Sequence, residues 1–152
     1  MKDSNIKSQL YAACSDHIDN RLIQVEANIR SMQNDLLSET KSSAGDKHET
    51  GRAMIHLEIE KLAVQLSQIR KEKELLQKIT ISKSSDQIKM GSLVLTDNGK
   101  YFLSISAGEI RLDEETYYAV SGSSPLGKIL LGKTSGNSIQ LRNQTIRILD
   151  VL

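Results

Sequence analysis

Two acidic residues, Asp46 and Glu49, have the types and spacing that could do chemistry in this chain. They stand three positions apart in the stretch SSAGDKHETGRA at residues 42–53. Residues at i and i+3 share one face of a helical turn, so the two carboxylates would point the same way. One or two carboxylates hold Mg²⁺ where waters and substrate phosphates supply the other ligands. Two carboxylates supply too few ligands for a metal site formed by this protein alone, so we predict no metal or cofactor of its own.

A purely structural role competes with this metal hypothesis. Asp46 followed three residues later by Glu49 resembles a capping box at the start of a helix. Both interpretations require a helix to begin near Asp46, and the residues alone leave both open.

Composition argues against a small-molecule enzyme. Aromatic residues make up 3% of the chain, with no Trp and one Phe, so an aromatic-walled pocket is hard to build. The single cysteine, Cys14, excludes an intramolecular disulfide and a multi-cysteine zinc site. It lies on an apolar stripe, which favours a packed side chain. The chain has 20 Lys plus Arg and 19 Asp plus Glu. Because the composition provides no stripe of positive charge, we expect no strong autonomous DNA binding.

The chain shows no sign of membrane insertion or export. No apolar run reaches the roughly 18–20 residues of a membrane helix, and residues 1–10 lack the apolar core of a signal peptide. We therefore expect a soluble cytoplasmic protein with no membrane partner.

Two long helical stripes flank the acidic stretch, and both step by three or four residues. The two stripes mirror each other along the chain. A residue of the first stripe can be paired with a residue of the second so that the two residue numbers always have the same sum. The pairs are Leu36 with Ile55, Met32 with Ile59, Ile29 with Leu62, Val25 with Leu66, and Leu22 with Ile69. We call these ten residues the seam. Lys73 occupies the one interrupted step of the second stripe.

A constant sum predicts an antiparallel coiled-coil hairpin over residues 1–79, with the acids at its tip. Two arms of about 36 residues would make a rod of roughly 50 Å. A compact four-helix bundle is the competing arrangement, but polar outer faces such as RKEKE favour the rod.

The second half of the chain has a different pattern. Residues 80–87 are polar and Ser-rich, which predicts a linker. Residues 88–152 hold short β-type runs, with hairpin corners predicted at 97–99 and 142–144. Between them, Ser124 as N-cap, Pro125 as first helical residue and Gly132 near the C-cap predict one short helix. The fold class predicted is α+β, with a small antiparallel sheet covered by that helix.

The layout resembles the Gre family of bacterial transcript-cleavage and elongation factors (GreA/GreB-like). That family joins an N-terminal coiled-coil hairpin to an FKBP-like C-terminal domain. Its tip reads GDLSENAEY, and GDKHETGRA at residues 45–53 is similar, with both acids kept as Asp46 and Glu49. SSPLGKILLGKTSG at 123–136 is similar to the family's C-terminal signature. The tip departs from the family pattern at Arg52, where an acid is usual, and at Ala53, where a Tyr is usual.

The resemblance implies a transcription elongation factor rather than an enzyme with its own turnover. The C-terminal domain would bind bacterial RNA polymerase, and the hairpin would enter the secondary channel. Asp46 and Glu49 would then act on the polymerase's Mg²⁺ to stimulate cleavage of backtracked nascent RNA. Lys47, Arg52, Pro125 and Lys133 are the candidate contacts to polymerase or RNA.

Two other functions stay open from the residues. Lys47 and Arg52 are cations beside the acids, which favours a channel-binding regulator of transcription without cleavage activity. A coiled-coil adapter, whose acids only cap a helix, is the third possibility.

Overall fold

The computed structural model describes residues 2–41 and 46–152, with side chains over 5–39 and 49–152. It contains two long helices followed by a six-stranded sheet and a short helix, which confirms the α+β class. The elements are α1 Lys2–Lys41, α2 Asp46–Gln77, β1 Leu93–Thr96, β2 Lys100–Ser104, β3 Gly108–Leu112, β4 Glu115–Ser121, α3 Pro125–Leu130, β5 Ser138–Leu141 and β6 Gln144–Val151. Over these residues, neither long helix is apolar enough to cross a membrane.

Residue contacts divide the chain into two compact units. The helical unit is Ile18–Lys73, and the sheet unit joins Met1–His17 to Glu74–Leu152. This division into units follows residue contacts and does not test the predicted domain boundaries. The boundaries at residues 79 and 88 therefore stay predictions.

The seam residues are buried or partly buried, as expected for two apolar stripes that face each other. Val25, Leu62 and Ile69 are buried, and the other seven seam residues are partly buried. Other apolar residues of the same helices, such as Ile23 and Val64, are about 60% exposed. Burial therefore follows position on the stripe rather than residue type alone.

Three ion pairs between the helices give their direction. Asp19 pairs with Lys73 at 3.1 Å, Arg21 with Glu72 at 2.7 Å, and Glu26 with Arg70 at 3.8 Å. Residue numbers rise along α1 as they fall along α2, so the helices are antiparallel. Lys73, the interrupted step of the second stripe, donates its hydrogen bond to Asp19 across the pair.

The sheet has the strand order β3-β4-β2-β1-β6-β5. All neighbouring strands are antiparallel except β2 and β4, which pair in parallel. This parallel pair arises because β3 lies at the outer edge and β4 returns between β3 and β2. Apolar patterning indicates strands but not their order, so the sequence did not predict this pairing.

The hairpin corners predicted at 97–99 and 142–144 are confirmed. Arg142 and Asn143 both have positive φ, +50° and +67°, the combination of a type I′ turn. A second turn of this type, at Asp113–Glu114, joins β3 to β4, and neither that turn nor β3 was predicted. Asp-Glu lacks the Asn or Gly that marks these turns in a sequence.

One core cluster of the sheet unit is aliphatic and lies where the sheet, α3 and the segment before β1 meet. Its buried members are Ile88, Val94, Leu103, Leu130, Ile139, Ile146, Ile148 and Val151. Cys14 of α1 is fully buried, with its Sγ 3.6 Å from the Ser104 hydroxyl of β2. Burial raises the pKa of this thiol, partly offset by the Ser104 hydrogen bond, so Cys14 is a packed side chain as expected.

Among the described side chains of the sheet unit, one charged residue is buried. Lys7 of α1 is only 3% exposed. Removal from water lowers the pKa of its ammonium group, and the nearby charge of Lys89 lowers it further. The fold therefore bears an electrostatic cost at this position.

We predict that an Ile69→Ala substitution lowers the free energy of unfolding by about 2–4 kcal/mol, because it removes a buried part of the seam. Ile23→Ala is the matched control on an exposed position and should change stability by less than about 0.5 kcal/mol. Urea unfolding followed by helical circular dichroism measures both. Equal losses of unfolding free energy in the two variants would contradict the assignment of the seam as the buried side of the helices.

Lys7 predicts a pH dependence of stability. A base whose pKa is lower in the folded state is destabilising while both states are protonated, and this cost fades as pH rises from the folded pKa toward 10.5. Lys7→Met should therefore be more stable than the natural chain at neutral pH, and the difference should shrink toward pH 10.5. Urea unfolding of both chains in phosphate-free buffer tests this; a constant difference would refute it.

Candidate functional site at the start of the second long helix

The candidate site is the first turn of α2, which begins at Asp46. Both Asp46 and Glu49 have helical backbone, so they occupy positions one turn apart on the same helix face. The Glu49 side chain is exposed, and Arg52 is partly buried. The side chains of Asp46 and Lys47 lie outside the described residues, and so do residues 42–45. The predicted capping contact of Asp46 therefore stays a prediction.

A third carboxylate lies beside this turn. The carboxyl carbon of Glu39, near the end of α1, is 3.5 Å from where a Cβ on Gly51 would stand. Glycine thus leaves the surface of α2 open to the Glu39 carboxylate. Sequence reasoning missed Glu39, although the mirrored pairing contains the signal: one step beyond Leu36 with Ile55 places residue 39 opposite residue 52.

The charges of this region are mixed. Glu39, Asp46 and Glu49 are acids, while Lys47 and Arg52 are cations within one turn of the acids along α2. Among the described side chains, no group of three His, Cys, Asp or Glu residues is arranged to hold a metal ion. Chemically, the arrangement can supply carboxylate oxygens to a metal that other ligands already hold.

The second candidate group lies at α3, in the sheet unit. The Ser124 hydroxyl accepts a hydrogen bond from Gly127 N at 3.0 Å and donates one to Ser121 O at 2.7 Å. Ser121 Oγ in turn accepts from the backbone N–H groups of Ser123 and Ser124. This network confirms Ser124 as the N-cap and Pro125 as the first helical residue.

Pro125 and Lys133 flank this short helix. Pro125 is exposed, and beyond the helix the apolar side chain of Leu131 is 36% exposed. Lys133 is partly buried, and its carbonyl accepts a hydrogen bond from Ile88 N at 2.8 Å. Asp46, Lys47, Glu49 and Arg52 are thus gathered at one helix start, while Pro125 and Lys133 belong to the other compact unit.

Gly127 permits the close approach of α3 to the end of β4. A Cβ at this position would stand 2.0 Å from Ser121 O, a backbone atom that cannot move aside alone. The glycine of the SSPLG motif is therefore required by packing.

Comparison with protein-family models finds no match, and comparison with curated proteins finds none either.

We predict that Gly127→Ala lowers the free energy of unfolding by about 2 kcal/mol or more, since the added methyl group overlaps a fixed carbonyl. Gly51→Ala is the matched helical control, because its Cβ would meet Glu39 only at an ordinary 3.5 Å. That change should be stabilising by about 0.5–1 kcal/mol, as alanine favours the helix. Thermal and urea unfolding distinguish the two, and a neutral Gly127→Ala would contradict the close approach.

Proposed function

We propose that this protein is an accessory factor of bacterial RNA polymerase that stimulates cleavage of backtracked RNA. One observation carries the proposal: α2 begins at Asp46, so two carboxylates occupy positions one turn apart at the end of an antiparallel helix pair. This is the placement that the resemblance to the Gre family requires of its two acids.

The proposed chemistry belongs to the polymerase. A carboxylate pair that reaches the active centre adds oxygen ligands to a Mg²⁺ ion held mainly by the polymerase and by RNA phosphates. Such an ion would supply Lewis-acid activation of a water molecule, for a displacement in which the water oxygen bonds to phosphorus as the bond to the leaving RNA oxygen breaks. Asp46 and Glu49 act only as ligands in this scheme, so the protein needs no turnover of its own.

The α3 region supports a docking role. Ser124 and Gly127 hold this helix tightly against Ser121, which gives the exposed Pro125 a fixed position. Leu131 adds exposed apolar surface beside it. We propose that Pro125 and Leu131 contact the polymerase, with Lys133 at the margin. This partner implies a location in the bacterial cytoplasm.

A regulator without cleavage activity is the second candidate, and the cations beside the acids favour it. Arg52 follows Glu49 by three residues, so the two share a helix face and can attract each other. An acid engaged by a neighbouring guanidinium is a weaker ligand for Mg²⁺. In that case the hairpin would occupy the channel without adding a metal ligand.

The test is a cleavage assay with purified bacterial RNA polymerase stalled in a backtracked complex. We predict that the natural chain accelerates RNA cleavage in the presence of Mg²⁺. Asp46→Asn combined with Glu49→Gln should lower the accelerated rate by roughly 10- to 100-fold, because both metal ligands lose their charge. Binding of each variant to polymerase is measured separately by co-sedimentation.

The matched control is Asp35→Asn combined with Glu60→Gln, which removes two exposed acids elsewhere on the same helices. It should retain both binding and cleavage. If the natural chain binds polymerase but does not stimulate cleavage, the regulator without cleavage activity is favoured. If it does not bind polymerase, the coiled-coil adapter is favoured. Unchanged cleavage in the Asp46 and Glu49 variant would refute the assigned roles.

A further inference from the structure

A cavity of about 450 Å³ lies in the sheet unit, where α2 ends and the chain turns toward β1. It is lined by Leu75, Lys78, Ile79, Thr80, Lys89 and Met90. This volume is within the usual range for small-molecule sites, which runs from roughly 300 to 1,000 Å³. One part of the lining is formed by Leu75, Ile79 and Met90, and the other by two lysines and a threonine.

A tight turn fixes one wall of the cavity. Lys89 N donates to Ser92 Oγ and Ser92 N donates to Lys89 O, both at 3.0 Å. Gly91 inside this turn has a φ of +93°, and a Cβ there would stand 2.7 Å from Ile79 Cγ2 and 2.9 Å from Thr80 O. The two segments that line the cavity are therefore in direct contact, so the site is formed before any ligand arrives.

Within the described part of the chain, no ion pair compensates the lysines at and near this cavity. Among the described residues, Lys7, Lys78 and Lys89 form no ion pair. Lys7 is buried, and the charge of Lys89 acts on it. Burying a cation beside a second cation is unfavourable unless an anion compensates them.

The end of α2 does not supply that compensation. Lys78 N donates to the carbonyls of Glu74 and Leu75, and Ile79 N donates to Leu76 O. The Tyr11 hydroxyl also donates to Leu76 O, at 3.1 Å. These terminal carbonyls accept hydrogen bonds from the backbone and from Tyr11, and among the described residues none accepts one from the ammonium group of Lys78 or Lys89.

We propose that this cavity binds a small phosphate monoester. Lys89, Lys78 and the Thr80 hydroxyl hold the phosphate, Lys7 adds a buried positive charge beside Lys89, and the apolar body of the ligand lies against Leu75, Ile79 and Met90. A dianion matches a cluster of several lysines better than a singly charged carboxylate does. This site is independent of the proposed role in transcription.

The test is a titration of the full-length, ¹⁵N-labelled chain with phenyl phosphate in phosphate-free buffer, followed by NMR. Saturable shifts of the backbone amides of residues 78–80 and 89–92 are expected. Lys89→Met should weaken binding by about tenfold or more, because one charge-assisted hydrogen bond is lost. Lys78→Met, on an exposed side chain, should weaken binding as well and gives a second variant with little risk to the fold.

Lys128→Met is the matched control, since Lys128 is an exposed lysine of α3 outside the cavity lining. It should leave the affinity for phenyl phosphate unchanged. Inorganic phosphate has only the charged group of the probe, and phenol has only its ring. Each should bind more weakly than phenyl phosphate. Three results would overturn the site: no saturable shifts in those amides, equal weakening by Lys89→Met and Lys128→Met, or phenol binding as tightly as phenyl phosphate.

Discussion

Two long helices stay paired in a single alignment only when the apolar side chains of one meet those of the other at matching heights. Val25, Leu62 and Ile69 are buried in the helix pair of this protein, and ion pairs such as Arg21 with Glu72 join the two helices. The ion pairs are partly solvated and contribute little to stability, about 0–1 kcal/mol for a typical exposed pair. Apolar burial therefore holds the pair together, while the charges favour this alignment over a shifted one.

The candidate site depends on this alignment. Because the seam sets which residues face each other, it also sets which part of α1 ends beside the start of α2. The position of Glu39 is one consequence of this alignment. Its carboxylate lies against Gly51, which is close in sequence to Glu49. A shift by one helical turn would bring a different α1 residue to Gly51 and alter the charge beside the proposed metal ligands.

The sheet unit relies on close backbone approach instead of a long apolar seam. Gly127 lets α3 approach Ser121, and Gly91 lets the turn before β1 approach Ile79 and Thr80. In both places the absence of a side chain brings two segments into contact and shapes a surface. One of these surfaces carries the exposed Pro125, and the other forms the lysine-lined cavity. Glycine positions thus connect packing to both proposed binding surfaces.

The amino-acid sequence by itself determined the two long helices, their antiparallel direction, the capped start of α3 and two hairpin corners. These features follow from local periodicity and from residues with strong backbone preferences, which can be read along the chain. Only the tertiary structure decided the parallel pairing of β2 with β4, the approach of Glu39 to Gly51 and the burial of Lys7 near Lys89. Each of these depends on segments distant in sequence that meet in space, and no single segment carries that information.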